Sequence, residues 1–255
     1  MNKYWIWFSR INKIGAKTQN KLLEKYKIPE KIWHLTKQEL IKDVNEIQAS
    51  VILDETYRKH IEKYEEYMKK HSIKMLTIQD KKYPESLRNI YDPPVVLYIM
   101  GNDEIIYNKS IAIIGSRICS EYGVKMAKRF AYNLSKQNIN IISGLAKGID
   151  KNAHLGAIIA NKPTIAVLGS GLDSIYPEEN KEILKKIVKN GAVISEYIVG
   201  TKPEKMNFPA RNRIISGLSD GILVIEASLK SGTTSTVDFA LEQGKNIYAI
   251  PRQYK

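Results

Sequence analysis

Lys205, Phe208, Arg211 and Arg213 fall within nine positions in the stretch KPEKMNFPARNRIISGLS, Lys202 to Ser219. Cationic side chains neutralise phosphates, and an aromatic ring stacks on any base because every base has a π face. The combination suits a single strand of nucleic acid held without sequence preference. A competing reading is purely structural: Phe208 and Pro209 form a turn packed on the core, and Arg213 pairs with an acid such as Glu226.

Other candidate phosphate contacts sit at the ends of apolar runs. SIAIIG is followed by Ser116 and Arg117 after Gly115. INIISG leads into SGLAKGID, with Ser143, Gly144, Lys147, Gly148 and Asp150. TIAVLG leads into GSGLD, AVIS into Ser195-Glu196, and GILVIEA into Lys230, Ser231, Gly232 and Thr233. Glycine lets backbone amides approach a ligand closely. The helix starts that follow offer N–H groups and a partial positive charge to an anion. Arg117, Lys147 and Lys230 add cationic donors. A single glycine after a strand is ordinary turn chemistry; the signal lies in several loops agreeing. Neither the dinucleotide fingerprint G-x-G-x-x-G nor a Walker loop is present.

These loops need a scaffold that gathers strand ends. From Ser110 onward short apolar runs alternate with helical stretches such as EYGVKMAKRFAYNLSKQN and STVDFALEQG. Runs without polar alternation are strands buried on both faces, and strand–helix–strand repetition implies a parallel sheet. The expected fold is α/β: a Rossmann-like, doubly wound, mostly parallel sheet, whose ligands bind outside the strands' carboxyl ends. Upstream, AKTQNKLLEKY, TKQELIKDV and DETYRKHIEKYEEYMKKH read as helices. The expected division is a helical domain over 1–75 and the Rossmann-like domain over 76–255, joined through a connector, 80–102, that carries Pro84, Pro93 and Pro94. In the helical part, Gly15 before an amphipathic helix loosely suggests a degenerate helix-hairpin-helix or SAM-like arrangement. With one glycine, a plain packing helix is favoured.

Net charge is +13, from 40 basic and 27 acidic residues, which points to nucleic acid or an anionic membrane as partner. No apolar run is long enough to span a bilayer, and the start lacks a secretory cleavage pattern, so no membrane association and a cytoplasmic location are expected. One cysteine, Cys119, leaves no internal disulfide and no multi-cysteine metal site. It precedes a helix, where a thiol pKa can fall, but no partner base is visible, and it reads as a small buried residue. His34, His60, His71 and His154 are scattered, and His154 reads as a packed histidine. No catalytic residue, metal or cofactor is expected.

Taken together, YPESLRNIYDPPVVLYIMG, IAIIGSR, SGLAKGIDKNAH, VLGSGLDSIYPEENKEIL, GAVISEY and FPARNRIISGLSDGILVIEASLKSGTTSTVDFALEQGKNIYAIP resemble the DNA-processing protein A (DprA, also Smf) family from about Tyr83 to Pro251. The resemblance implies binding of single-stranded DNA, its protection during natural transformation, and help in loading the RecA recombinase, with no chemical reaction. A homodimer is a further expectation. Carried onto this chain, it nominates Gly115, Ser116, Arg117, Ser143, Gly144, Lys147, Lys205, Phe208, Arg211 and Arg213 as DNA contacts. Two features depart from the family. Its SGGARGID reads SGLAKGID here, so Leu145 replaces a glycine and Lys147 an arginine; and the chain stops at Lys255, earlier than members usually do. The alternative is a Rossmann-like phosphoribohydrolase of the lysine-decarboxylase-like type. There a glutamate would be needed where this sequence has Thr236, and threonine supplies no carboxylate.

Overall fold

The computed structural model describes residues 2–11, 13–227 and 232–251. Six helices come first: α1 (Asn2–Arg10), α2 (Ala16–Tyr26), α3 (Pro29–Trp33), α4 (Lys37–Leu40), α5 (Glu46–Ile52) and α6 (Ile61–Lys70). Local chemistry sets several of their starts. Thr36 with Glu39, and Asn45 with Gln48, form reciprocal capping boxes at α4 and α5. The stretch Asp54–His71, which reads as one helix in sequence, is divided. A 3₁₀ turn at Glu55–Tyr57 precedes α6, and His60 between them takes a left-handed φ of 59°. Gly15 has φ −70°, a value open to any residue, so the turn before α2 has none of the backbone geometry that requires glycine.

The rest is one eight-stranded sheet. In chain order it runs β1 (Lys74–Thr77), α7 (Glu85–Arg88), β2 (Val96–Gly101), β3 (Ser110–Gly115), α8 (Glu121–Lys136), β4 (Asn140–Ser143), α9 (Ile149–Ile159) and β5 (Thr164–Val167). Then follow α10 (Lys181–Asn190), β6 (Ala192–Ser195), α11 (Asn207–Leu218), β7 (Gly221–Ile225), α12 (Thr233–Glu242) and β8 (Asn246–Ala249). Strand order is β1-β2-β6-β5-β4-β3-β7-β8. Strands β3 to β7 are the apolar runs marked in the sequence, β8 lies in the run NIYAIP that follows them, and these six pair with one another in parallel. Two further strands add to these. β1 and β2 pair antiparallel with each other, and β2 pairs antiparallel with β6. Prolines 93 and 94 mark the connector as non-helical, but they stop short of β2, where the run VLYIMG is free to pair.

The helical unit is not a satellite. Trp5, Ile6, Trp7 and Phe8 of α1 are buried in the same apolar cluster as Val96 and Tyr98 of β2 and Val193 of β6. Ser9 and Tyr98 share a 2.7 Å hydrogen bond across that junction.

Chain order reverses at β3. From it the chain winds outward through β4, β5 and β6, then returns to place β7 on its other side. The carboxyl ends of β3 and β7 therefore flank a switch point, where open α/β sheets hold ligands.

Candidate nucleic-acid interface

A cavity of about 750 Å³ opens at that switch point. Its walls come from the loop after β3 (Gly115, Ser116, Arg117, Ile118), from Ala146 and Asp150 before and on α9, and from Tyr176. Its base comes from α11 (Phe208, Arg211, Asn212, Ile215) and the start of α12 (Gly232, Thr233, Thr236).

The β3 loop is held by its backbone. Ser116 N donates to Glu226 O at 2.8 Å, and Ile149 N donates to Ser116 O at 3.2 Å. Gly148, at φ 73°, lies against it: a Cβ there would stand 2.3 Å from Ser116 O and 2.5 Å from Arg117 O. Only a glycine lets the two loops close on each other.

Arg117 and Lys205 are exposed at the rim, and neither forms an ion pair among the described residues. Phe208 lines the same cavity and is half-buried. The Arg117 guanidinium lies 5.7 Å from its ring centre, and the Tyr176 ring 5.6 Å from it at a 49° tilt. Gly169 supports Phe208 from behind, since a Cβ there would come within 3.1 Å of the ring. Phe208 and Pro209 lie in the first turn of α11 rather than in a turn before it. A proline in that turn gives up an N–H that has no helical partner in any case.

Arg211 sits at the floor, 4% exposed. Its Nη1 donates to Gly144 O at 3.0 Å and to Val167 O, and its Nε donates to Asn212 Oδ1 at 3.1 Å. Its Nη2 has no acceptor among the described residues. Burial pushes its pKa down to about 10, against the pull of Asp150, and it stays cationic at neutral pH. Gly144 makes room for this: a Cβ would meet the guanidinium Nη2 at 2.6 Å and Asp150 Oδ2 at 2.8 Å. Asp150 Oδ2 accepts from Gly144 N at 3.1 Å and Ala146 N at 3.4 Å, while burial raises its carboxyl pKa.

Four nominated residues do not line the cavity: Gly144, buried against the Arg211 guanidinium, and three more. The Ser143 hydroxyl is fully buried beneath the sheet end and donates to Ile113 O at 2.7 Å, so no ligand reaches it. Lys147 turns outward to an exposed ion pair with Glu179 at 2.8 Å. Arg213, 3% exposed, faces the opposite side of α11, two residues from Arg211 and so on another helix face. Its Nη1 and Nη2 grip Glu196 at 2.7 and 2.6 Å, and Nε lies 3.1 Å from Asp92 Oδ2. Burial opposes that charge, but Glu196 and Asp92 outweigh it and hold the guanidinium proton more tightly than water would. The acid paired with Arg213 is thus Glu196 and not Glu226. The Glu226 carboxylate instead accepts from Ser120 N at 2.8 Å and from the Ser120 hydroxyl, at the start of α8.

Arg213 lines a second cavity of about 370 Å³ between α2 and α11, which also carries Asp92, Glu196 and Glu204. Three carboxylates make it a poor host for phosphate. The larger cavity, with cations at its rim that form no ion pair among the described residues, has the matching chemistry.

Leu145, in place of the family's glycine, takes a left-handed φ of 54° and is fully buried. Burial of its side chain offsets a backbone cost of roughly 1–2 kcal/mol. His154 is buried; its Nδ1 donates to Thr164 Oγ1 at 2.8 Å, whose own proton goes to Ile141 O. Burial drives its pKa down to about 3, so it is neutral at physiological pH. Cys119 is half-buried, and burial, with Glu226 adding to it, pushes its thiol pKa up rather than down. Lys230 and Ser231 lie outside the described residues. Tyr176 and Asn212 line the cavity although the sequence does not single them out as contacts. Tyr176 in DSIYPEEN follows no strand directly, and only the fold brings it to Phe208.

Sheet order, switch-point cavity and cationic rim define a Rossmann-like α/β protein with a cation-rimmed cleft. The profile of the family described as DNA recombination-mediator protein A matches residues 74–255, and the chain belongs to that family. Protein Smf of Synechocystis is 34% identical over 97% of this chain and 64% of its own length. DNA processing protein DprA of Streptococcus pneumoniae is 44% identical over 69% of this chain and 62% of its own. The chain thus spans less than two thirds of either relative. Among solved structures, the S. pneumoniae DprA crystal structure superposes with a TM-score of 0.85 at 33% identity, covering 99% of this chain and 88% of that one. A Helicobacter pylori DNA processing protein A, described by its single-stranded DNA binding mode, superposes at 0.66 with 32% identity, covering 71% of this chain and 81% of that one.

Proposed function

We propose that this chain binds single-stranded DNA across the switch-point cavity without reading sequence. The observation that carries this is that Arg117 and Lys205, neither in an ion pair among the described residues, share one cavity with the Phe208–Tyr176 ring pair, with Arg117 against the Phe208 ring. Phosphates lie along the rim cations and the Gly115–Arg117 loop, while bases stack on the rings. Arg211 adds positive potential from below. Such contacts position a strand but carry no sequence information. The family assignment supports a role in DNA processing during transformation and recombination, and within it the protection of incoming strands, loading of RecA, a homodimeric state and a cytoplasmic location. It also favours binding without catalysis. Hydrolysis at a glycosidic bond ordinarily employs two carboxylates. Asp150 is the one carboxylate lining this cavity among the described residues, and two backbone amides hold it.

Arg117→Ala and Phe208→Ala test the placement. Arg117→Ala is expected to weaken binding evenly across sequences and to lower the salt slope by about 0.7 for each phosphate it no longer neutralises. Phe208→Ala is expected to cost roughly 1–3 kcal/mol of affinity with the salt slope unchanged. Fluorescence anisotropy over a salt series separates the two. A wild-type slope in Arg117→Ala would remove that residue from the interface.

A further inference from the structure

Helix α8 leaves directly from the loop that walls the switch-point cavity: Ile118 lines the cavity, and Ser120 caps the helix. Ile118 is 92% exposed, so the surface between cavity and helix is open. Along α8, Lys125, Arg129, Tyr132 and Lys136 are all exposed. At about 100° per residue they fall within about 60° of the helix circumference, in one stripe opposite the buried Gly123, Ala127, Ala131 and Ser135. None of the three cations forms an ion pair among the described residues. The Lys136 ammonium stands 5.5 Å from the centre of the Tyr132 ring.

A solvated helix face usually mixes signs, with acid and base three or four residues apart. Helix α10 does so: Lys185 pairs with Glu182 at 2.7 Å. Helix α8 has one acid, Glu121, in its first turn, where the helix dipole favours it. The principal elements packed on α8 are α9, β4 and β7, and their one acid is Asp150, buried in the cavity wall. Lys125 and Arg129, of like charge and four residues apart, disfavour the helix that carries them. An anionic partner along the stripe relieves that cost. From Lys125 to Lys136 the helix rises about 16 Å, the rise of about five nucleotides in a stacked strand. Cations interleaved with an aromatic ring suit such a backbone.

We propose that a single strand leaving the switch-point cavity continues along this face of α8, with Lys125, Arg129 and Lys136 on its phosphates. The proposal rests on the single-strand reading and adds contacts that lie outside the cavity. An acidic protein would also match the charge; continuity with the cavity and the Tyr132 ring favour the strand.

The test compares the full chain with two triple variants. One carries Lys125→Gln, Arg129→Gln and Lys136→Gln on α8. The other carries Lys63→Gln, Lys69→Gln and Lys70→Gln on α6, which removes the same charge from exposed positions elsewhere. Labelled strands of about 20 and about 6 nucleotides are titrated by fluorescence anisotropy over a salt series, the shorter being within the reach of one groove. The α8 variant is expected to bind the longer strand about tenfold more weakly, with the salt slope lower by about 2, or about 0.7 for each of three phosphates. It is expected to bind the shorter strand as the wild type does, and the α6 variant to bind both as the wild type does. Thermal unfolding checks that both variants keep the fold. An α8 variant that keeps wild-type affinity and slope for the longer strand would overturn the proposal. So would an equal loss on both strands, or an equal loss in the α6 variant. Arg117→Ala separates this proposal from the reading it rests on. If that variant holds the longer strand as tightly as the wild type while the α8 variant does not, the cavity reading fails and the α8 surface stands. If Arg117→Ala weakens binding and the α8 variant does not, the cavity stands and the track along α8 fails.

Discussion

Replacing Arg211 with methionine is expected to destabilise the fold by about 3–5 kcal/mol, the range for breaking a buried charged arrangement by removing one member. The size follows from what the guanidinium holds. Gly144 O, Val167 O and Asn212 Oδ1 belong to three separate segments and accept from two of its nitrogens. Methionine fills the space but leaves those acceptors buried and empty, each at a cost of about 1–3 kcal/mol if water does not reach it. It also leaves the buried Asp150 carboxylate without its nearby cation. Arg211→Lys is expected to recover little, because one ammonium on a flexible stem cannot reach acceptors spread around a planar fork. Urea unfolding measures this through the midpoint at constant slope. A destabilisation under about 1 kcal/mol would show that Arg211 is not the tie between α11 and the ends of β4 and β5.

Glu196→Ala is expected to cost a similar amount, about 3–5 kcal/mol, for a different reason. It strands the buried Arg213 with only Asp92 for company. The bidentate grip at 2.7 and 2.6 Å is the geometry in which a guanidinium and a carboxylate bind each other most strongly. The double variant Glu196→Gln with Arg213→Met is expected to be more stable than Glu196→Ala alone, because it removes the stranded charge. Chemical denaturation of the single and double variants makes the comparison. If Glu196→Ala unfolds like the wild type, the pair is not a structural lock. Arg213 would then be open to a role in binding.

The two arginines show where sequence pattern serves and where it stops. The run FPARNR announces two cations at one helix start, but it does not say which face each one takes. Two positions along a helix correspond to about 200° of rotation, so Arg211 turns under the switch-point cavity and Arg213 turns to Glu196. Glu196 and Glu226 both follow apolar runs, and nothing local distinguishes them as partners; the strand order does, by setting β6 and β7 on different sides of β3. The six parallel strands are legible because runs buried on both faces have few polar residues to obscure them. The antiparallel pair β1–β2 is not, because KMLT is short and β2 follows two prolines that signal irregular chain. Lys147 shows another limit. A cation in a glycine loop suggests phosphate, yet Glu179, thirty-two residues away, takes it. Phe208 is legible as a stacking ring from its neighbours, whereas its companion Tyr176 requires the fold.

The central claim is that the +13 charge is focused at one cleft that accepts a single strand, rather than spread as a solvated surface. The most direct measurement is fluorescence anisotropy of the wild-type chain with a labelled single strand against the matching duplex, over a salt series. The cleft predicts clear preference for the single strand, since paired bases cannot stack on Phe208, with affinity falling linearly on a logarithmic salt scale. Equal, weak binding of both forms, abolished alike by salt, would contradict it.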